Sequence, residues 1–141
     1  MKGLFIKSIT MLLVLTVAFS FSTRRAAGPA CVFEKMSHNF GEIKEGELPT
    51  CEFKFTNTGG APLKFVAVEK PCGFSKVEYP HTAIAPGETG TIKYEFNSAD
   101  HVGKFRRTSV IKTNISADPK NDILIMLSGV VAANDGKSAR K

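Results

Sequence analysis

The chain has no tryptophan and only two tyrosines, against eleven phenylalanines. Its core is therefore filled by rings that carry no polar atom to satisfy. Catalytic signals are equally scarce. His38, His81 and His101 fall in separate segments, and no Cys-x-x-Cys is present, so no spacing suits a metal. There is no Gly-x-Ser-x-Gly elbow, and Gly87-Glu88-Thr89-Gly90 lacks the lysine and hydroxyl of a phosphate loop. Glu42, Glu45 and Glu47 crowd one loop and read as a solvated hairpin rather than a hydrolytic pair. No catalytic residue, cofactor site or metal site is expected.

A long apolar run is also missing. Lys2 and Lys7 precede the stretch Ile9 to Phe19, which is short of the ~20 residues a spanning helix needs. Small residues with cleavage spacing follow, then Arg24 and Arg25. This predicts a signal peptide over 1–22 and export to the periplasm or cell surface; the alternative is an uncleaved anchor, and contact with membrane is expected only through this segment. Residues 23–31 read as a linker, 32–131 as one domain, and 132–141 as a disordered polar tail. The formal charge of +6 includes Lys2 and Lys7, so loss of 1–22 leaves +4. That is too mild for a nucleic-acid footprint and fits weak attraction to anionic envelope polymers.

The rest of the chain is written in period two. Phe53 and Phe55 alternate with Glu52, Lys54 and Thr56, and Ile92, Tyr94 and Phe96 with Lys93 and Glu95. Asn57-Thr58-Gly59-Gly60, Pro71-Cys72-Gly73, Ala85-Pro86-Gly87 and Asp118-Pro119 punctuate the strands. Strands are expected at Val32–Phe40, Cys51–Asn57, Leu63–Val68, Phe74–Tyr79, Thr91–Phe96, Phe105–Thr113 and Ile123–Val131, with Glu42–Pro49 as a charged loop. The apolar residues on both faces of Leu63–Val68 suggest a bulge or two-sided burial. No segment after the leader has a period of 3.6. The fold class is all-β, an immunoglobulin-like β-sandwich of about seven strands. Its expected core is Phe33, Phe40, Phe53, Phe55, Phe65, Phe96 and Phe105 with Ile92, Tyr94, Ile111, Ile125 and Leu127.

Five segments in order, His38-Asn39-Phe40-Gly41-Glu42-Ile43-Lys44-Glu45-Gly46, Phe53-Lys54-Phe55-Thr56-Asn57-Thr58-Gly59, Pro71-Cys72-Gly73, Ile84-Ala85-Pro86-Gly87-Glu88-Thr89-Gly90 and Gly103-Lys104-Phe105, resemble a bacterial family known as domain of unknown function 1573. The resemblance covers about residues 33–131. It implies an exported immunoglobulin-like domain, akin to sandwich modules of cilia- and centrosome-associated proteins, and supplies no activity. The family pattern usually reads His-Asp-Phe-Gly and Cys-Gly-Cys. Here Asn39 stands in the aspartate place and Phe74 in that of the second cysteine, so a thiol pair is not available to Cys72 there.

Candidate functional residues follow from parity and exposure. Lys104, Arg106 and Lys112 share a face opposite Phe105, and Leu124 and Met126 face away from Ile125 and Leu127. They make a candidate interaction surface for an envelope protein of unknown identity; a charged strand face kept wet against aggregation is the plainer reading. Strand addition at a sheet edge is the natural recognition mode for such a fold. Three cysteines cannot all pair within one chain. Cys51 shares parity with Phe53 and reads as a buried hydrophobe, Cys72 is a candidate thiol in an exposed turn, and Cys31 with Cys72 is a candidate disulfide. Gly28-Pro29-Ala30 lacks the aliphatic start expected before a lipid-accepting Cys31. The reading is therefore a non-catalytic envelope module acting by protein contact. The alternatives are thiol or metal handling through Cys72 and binding of an anionic polymer.

Overall fold

Phe33 and Phe40 are seven residues apart and of opposite parity, so a single straight strand cannot turn both rings inward. In the computed structural model, which describes residues 28–116 and 118–134, that stretch is two strands, β1 (Cys31–Phe33) and β2 (Ser37–Lys44). This corrects the expected strand Val32–Phe40 and makes the count eight rather than seven. The chain leaves one sheet after the Glu34 amide bonds the Lys54 carbonyl, and joins the other where the Met36 carbonyl receives the Met126 amide. Parity resets again inside β2. Its register on the partner strand shifts between Asn39 and Glu42, the Asn39 side chain accepts from the Gly41 amide at 2.9 Å, and Gly41 has φ +71°. The bulge is what sends Ile43 into the core, and it carries β2 past Gly41 into the expected charged loop.

The remaining strands are β3 (Thr50–Asn57), β4 (Phe65–Val68), β5 (Phe74–Glu78), β6 (Thr89–Phe96), β7 (Gly103–Thr113) and β8 (Ile123–Ala132), with a single 3-10 turn at Pro119–Asn121. They form two four-stranded sheets, β1-β3-β6-β5 and β2-β8-β7-β4. That is the strand order of an immunoglobulin-like sandwich whose first strand is split between the sheets. The split explains why β2 and β8 run parallel; the other strand pairs among the described residues are antiparallel. The expected bulge in Leu63–Val68 is present as a register shift between Phe65 and Ala67. Ala132 closes β8 rather than opening a tail. The expected signal peptide, most of the linker and residues 135–141 of the tail lie outside the described residues.

Between the sheets, Phe53, Phe55, Ile92, Tyr94, Phe96, Ile111, Ile125 and Leu127 are essentially fully buried, while Phe33 and Phe40 are partly covered. The core also takes Ile43, Cys51, Leu63, Phe74, Ile84 and Val131. The rings cluster at the two poles. Phe96 stacks on Phe105 with centroids 4.2 Å apart and Phe40 and Phe74 beside them, while Phe55 meets Phe65 edge-on at 4.8 Å with Phe33 nearby. Gly129 on β8 is required by this packing, because a Cβ there would come within 2.8 Å of the Phe105 ring. Midway, the Tyr94 hydroxyl donates to Ser109 Oγ at 2.7 Å, and Ser109 donates to the Glu69 carbonyl at 2.7 Å. This polar strut ties the two sheets through the core, and burial pushes the Tyr94 hydroxyl up to about 12.

Candidate functional site

The motifs that punctuate the sequence turn out to be structural knots at the poles. Asn57 is fully buried, and its amide nitrogen donates to the Ala61 and Ile84 carbonyls at 2.9 Å each. Its carbonyl oxygen accepts from Gly59 at 3.0 Å and from Ala30 at 3.4 Å. One side chain thus fastens residues 28–30, 57–61 and 84–88 together, with Gly60 and Thr58 bonding the Gly28 and Ala30 carbonyls. At the opposite pole the Ser98 hydroxyl lies 2.9 Å from the Lys44 carbonyl and 2.7 Å from the Glu47 carbonyl, its one proton shared between them.

The outward faces of the sheets differ in chemistry. On the first sheet, Lys93 of β6 stands between Glu52 of β3 and Glu78 of β5, and Glu95 between Thr50 and Lys76. Lys76 and Glu78 form an ion pair, which holds the Glu78 carboxyl below its usual range and the Lys76 amine above it. With Lys54 this surface carries three lysines and three glutamates, with opposite signs alternating along and across the strands.

The second sheet is arranged in rows across β2, β8 and β7. Ser37, Met126 and Thr108 make one row, Asn39, Ser128 and Arg106 the next, and Glu42, Val130 and Lys104 a third; Leu124 lies beside Val110. All five residues expected on an interaction surface therefore share this face. Leu124 is 54% exposed, and the Arg106 Nε packs on Met126 Sδ at 2.9 Å rather than on a carboxylate. Lys112 differs from the other two cations: it pairs with Glu69 at 3.2 Å and is not a free attractor. Among the described residues the ion pairs are this one and Lys76–Glu78, so Lys104, Arg106 and Lys44 are outside any ion pair, and Glu42 stands in the Lys104 row with Val130 between them. Lys104, Arg106, Asn39, Ser128, Met126 and Val130 line a shallow depression of about 460 Å³. Asn39, Ser128, Val130 and Val110 are absent from the expected set. The even positions of the last strand carried the signal for Ser128 and Val130, but nothing local placed β2 beside them.

The cysteines are all free. Cys31 pairs with Asn57 at one end of β3, whereas Cys72 adjoins Phe74, which pairs with Phe96 beyond the other end. Seven residues of extended strand separate these poles by roughly 20 Å. The candidate Cys31–Cys72 disulfide is therefore not formed; a bridge needs Cα atoms within about 7 Å. Burial pushes the Cys31 and Cys51 thiols up to about 12, while Cys72 is exposed in a depression with Lys70, Arg107 and Thr108. The histidines are apart: His38 packs edge-on against Phe40 at 4.6 Å, His81 lies against Tyr79, and His101 lies against Phe96. Among the described residues no three metal-ligating side chains converge.

The model for a protein of unknown function, DUF1573, matches residues 31–131, and the chain belongs to that family. No functionally curated protein matches it. A protein of unknown function from Porphyromonas gingivalis W83 is similar in structure, with TM-score 0.62 and 16% identity over 77% of this chain and 50% of that one. The seventh PapD-like (ASH) domain of human CEP192 is similar at TM-score 0.53 and 10% identity, covering 73% of this chain and 85% of that domain. The secreted serine protease VesC of Vibrio cholerae is similar at TM-score 0.54 and 16% identity, over 74% of this chain but 23% of the protease. The chain thus spans half or less of the length of the Porphyromonas protein and of the protease. At these identities the likeness is one of fold.

Proposed function

We propose that this DUF1573 domain is an exported, non-catalytic module that works by protein contact in the bacterial cell envelope, with the outer face of the second sheet as its contact surface. The observation that carries the reading is the contrast between the two outer faces. The first sheet sets opposite charges in register across its strands, with Lys93 between Glu52 and Glu78 and Glu95 beside Lys76. The second leaves Leu124 exposed and sets Arg106 against Met126, so that an aliphatic patch and unpaired cations lie side by side. Export rests on the leader-like stretch at 2–25. The cations alone would also suit an anionic envelope polymer, but such a ligand leaves Leu124 and Met126 in water.

The test places a photo-crosslinking amino acid at Thr108, on the second sheet's outer face, or at Thr91, on the first, in the full chain expressed in its own cell. The expected result is a discrete adduct with one envelope protein from Thr108 and none from Thr91. Adducts from neither position, or equally from both, would remove the reading.

A further inference from the structure

We infer that the depression between Lys104 and Arg106 is a subsite for an acidic side chain of a partner polypeptide, the aliphatic neighbours of which lie along Met126 and Leu124. This rests on the contact surface proposed above and names the chemistry of its occupant.

Four polar groups converge there. Asn39, Ser128 and Arg106 lie in one row across three strands, a span of about 10 Å, and Lys104 is two residues from Arg106 on the same face. The Asn39 carbonyl oxygen is already used by the Gly41 amide, which leaves its NH2 to donate outward. Arg106 lays its Nε on Met126 and keeps its two terminal nitrogens for a planar acceptor. Ser128 adds a hydroxyl. A carboxylate matches this set by charge and by donor geometry, whereas a lysine or an amide partner does not.

The surroundings distinguish a polypeptide from a polymer of phosphates or uronic acids. Toward the Lys112 end of the face, Val110 and Leu124 follow the Met126 row, and beyond them Lys112 is held by Glu69. On β7 and β8 the unpaired cations Lys104 and Arg106 therefore sit at one end, with Glu42 in the Lys104 row, while the other end is aliphatic up to the Lys112–Glu69 pair. Lys70 and Arg107 lie to the side, in the depression beside Thr108. An evenly charged polyanion would find cations over half its length and bury no apolar surface on the rest. A strand with an acidic residue followed by aliphatic ones at period two would cover both halves.

The measurement is amide NMR of the 15N-labelled exported chain, titrated with three probes. One is a short peptide alternating valine with aspartate, one is the same peptide with asparagine in place of aspartate, and one is inorganic polyphosphate. Shifts at 104–108 and 124–130 are expected with the acidic peptide, with the asparagine peptide binding about tenfold weaker or worse. Arg106→Gln should abolish that discrimination, and Arg106→Lys should keep part of it. Equal binding of the two peptides at this face would overturn the carboxylate subsite while leaving the contact surface intact. No shift at millimolar peptide, shifts elsewhere, or displacement of the acidic peptide by stoichiometric polyphosphate would each overturn the inference. The photo-crosslink from Thr108 reports on the surface independently of all four outcomes.

Discussion

The two outer faces of this sandwich each hold one ion pair, and they differ in how the other charges are laid out. The first sheet has three lysines and three glutamates on adjacent strands, and each charge on β6 finds a complement on β3 or β5. The second has Lys104, Arg106, Lys112 and Lys44 against Glu42 and Glu69, and only Lys112 is paired. Its remaining positions mix Leu124, Met126, Val110 and Val130 with Ser37, Asn39, Thr108 and Ser128. Exposed charges of alternating sign add little to stability in water. Cations set beside aliphatic groups without such alternation are the feature on which the proposed contact surface rests.

Both faces stand on one core, and removing its centre sets the scale for everything above it. Phe55→Ala should lower the unfolding free energy by about 3–5 kcal/mol in urea titration, because Phe55 is about 1% exposed and its ring sits against Phe33 and Phe65. The strut between the sheets comes next. Tyr94→Phe removes the donor to Ser109 while Ser109 keeps its bond to Glu69, so a loss of about 0.5–1.5 kcal/mol is expected by the same titration. A larger loss would mean that the faces are coupled through more than this contact.

The comparison itself is tested by charge reversal. Lys93→Glu places like charges against Glu52 and Glu78 and should cost about 0.2–1 kcal/mol, restored in part by adding Glu52→Lys. Arg106→Glu, which breaks no ion pair among the described residues, should stay within about 0.5 kcal/mol of the parent. Equal costs for Lys93→Glu and Arg106→Glu would erase the distinction between a face of alternating charge and one without that alternation.

The smallest effect concerns acid. Burial, with Lys35 nearby, holds His38 below its usual value, so the neutral imidazole is favoured in the folded chain. The unfolded state then binds more protons on the acid side of 6.5, and stability is present above that pH and falls below it. A slight drop in Tm between pH 7.5 and 5.5 is expected, and His38→Gln should shrink it.

Much of the sandwich was legible along the chain, and the reasons are local. Period two sorts each strand into an inward and an outward face, which is why the ring core at Phe53, Phe55, Tyr94, Phe96 and Phe105 and the shared face of Arg106 and Met126 both follow from parity. The split of the first strand was legible too, in the opposite parity of Phe33 and Phe40. A single strand Val32–Phe40 puts Ile43 in a loop, whereas β2 runs on through it.

Local pattern thus determined the fold class, the ring core and which side of its own strand each candidate residue occupies, because a side chain's direction depends only on its neighbours in the chain. Tertiary structure alone decided who stands next to whom. It gave Lys112 to Glu69 and Arg106 to Met126, set Asn39 beside Ser128, and put Cys31 and Cys72 at opposite poles. Those neighbours lie up to about ninety residues apart in sequence, and sheet order and register bring them together. Both are properties of the whole packed domain, which no single strand encodes.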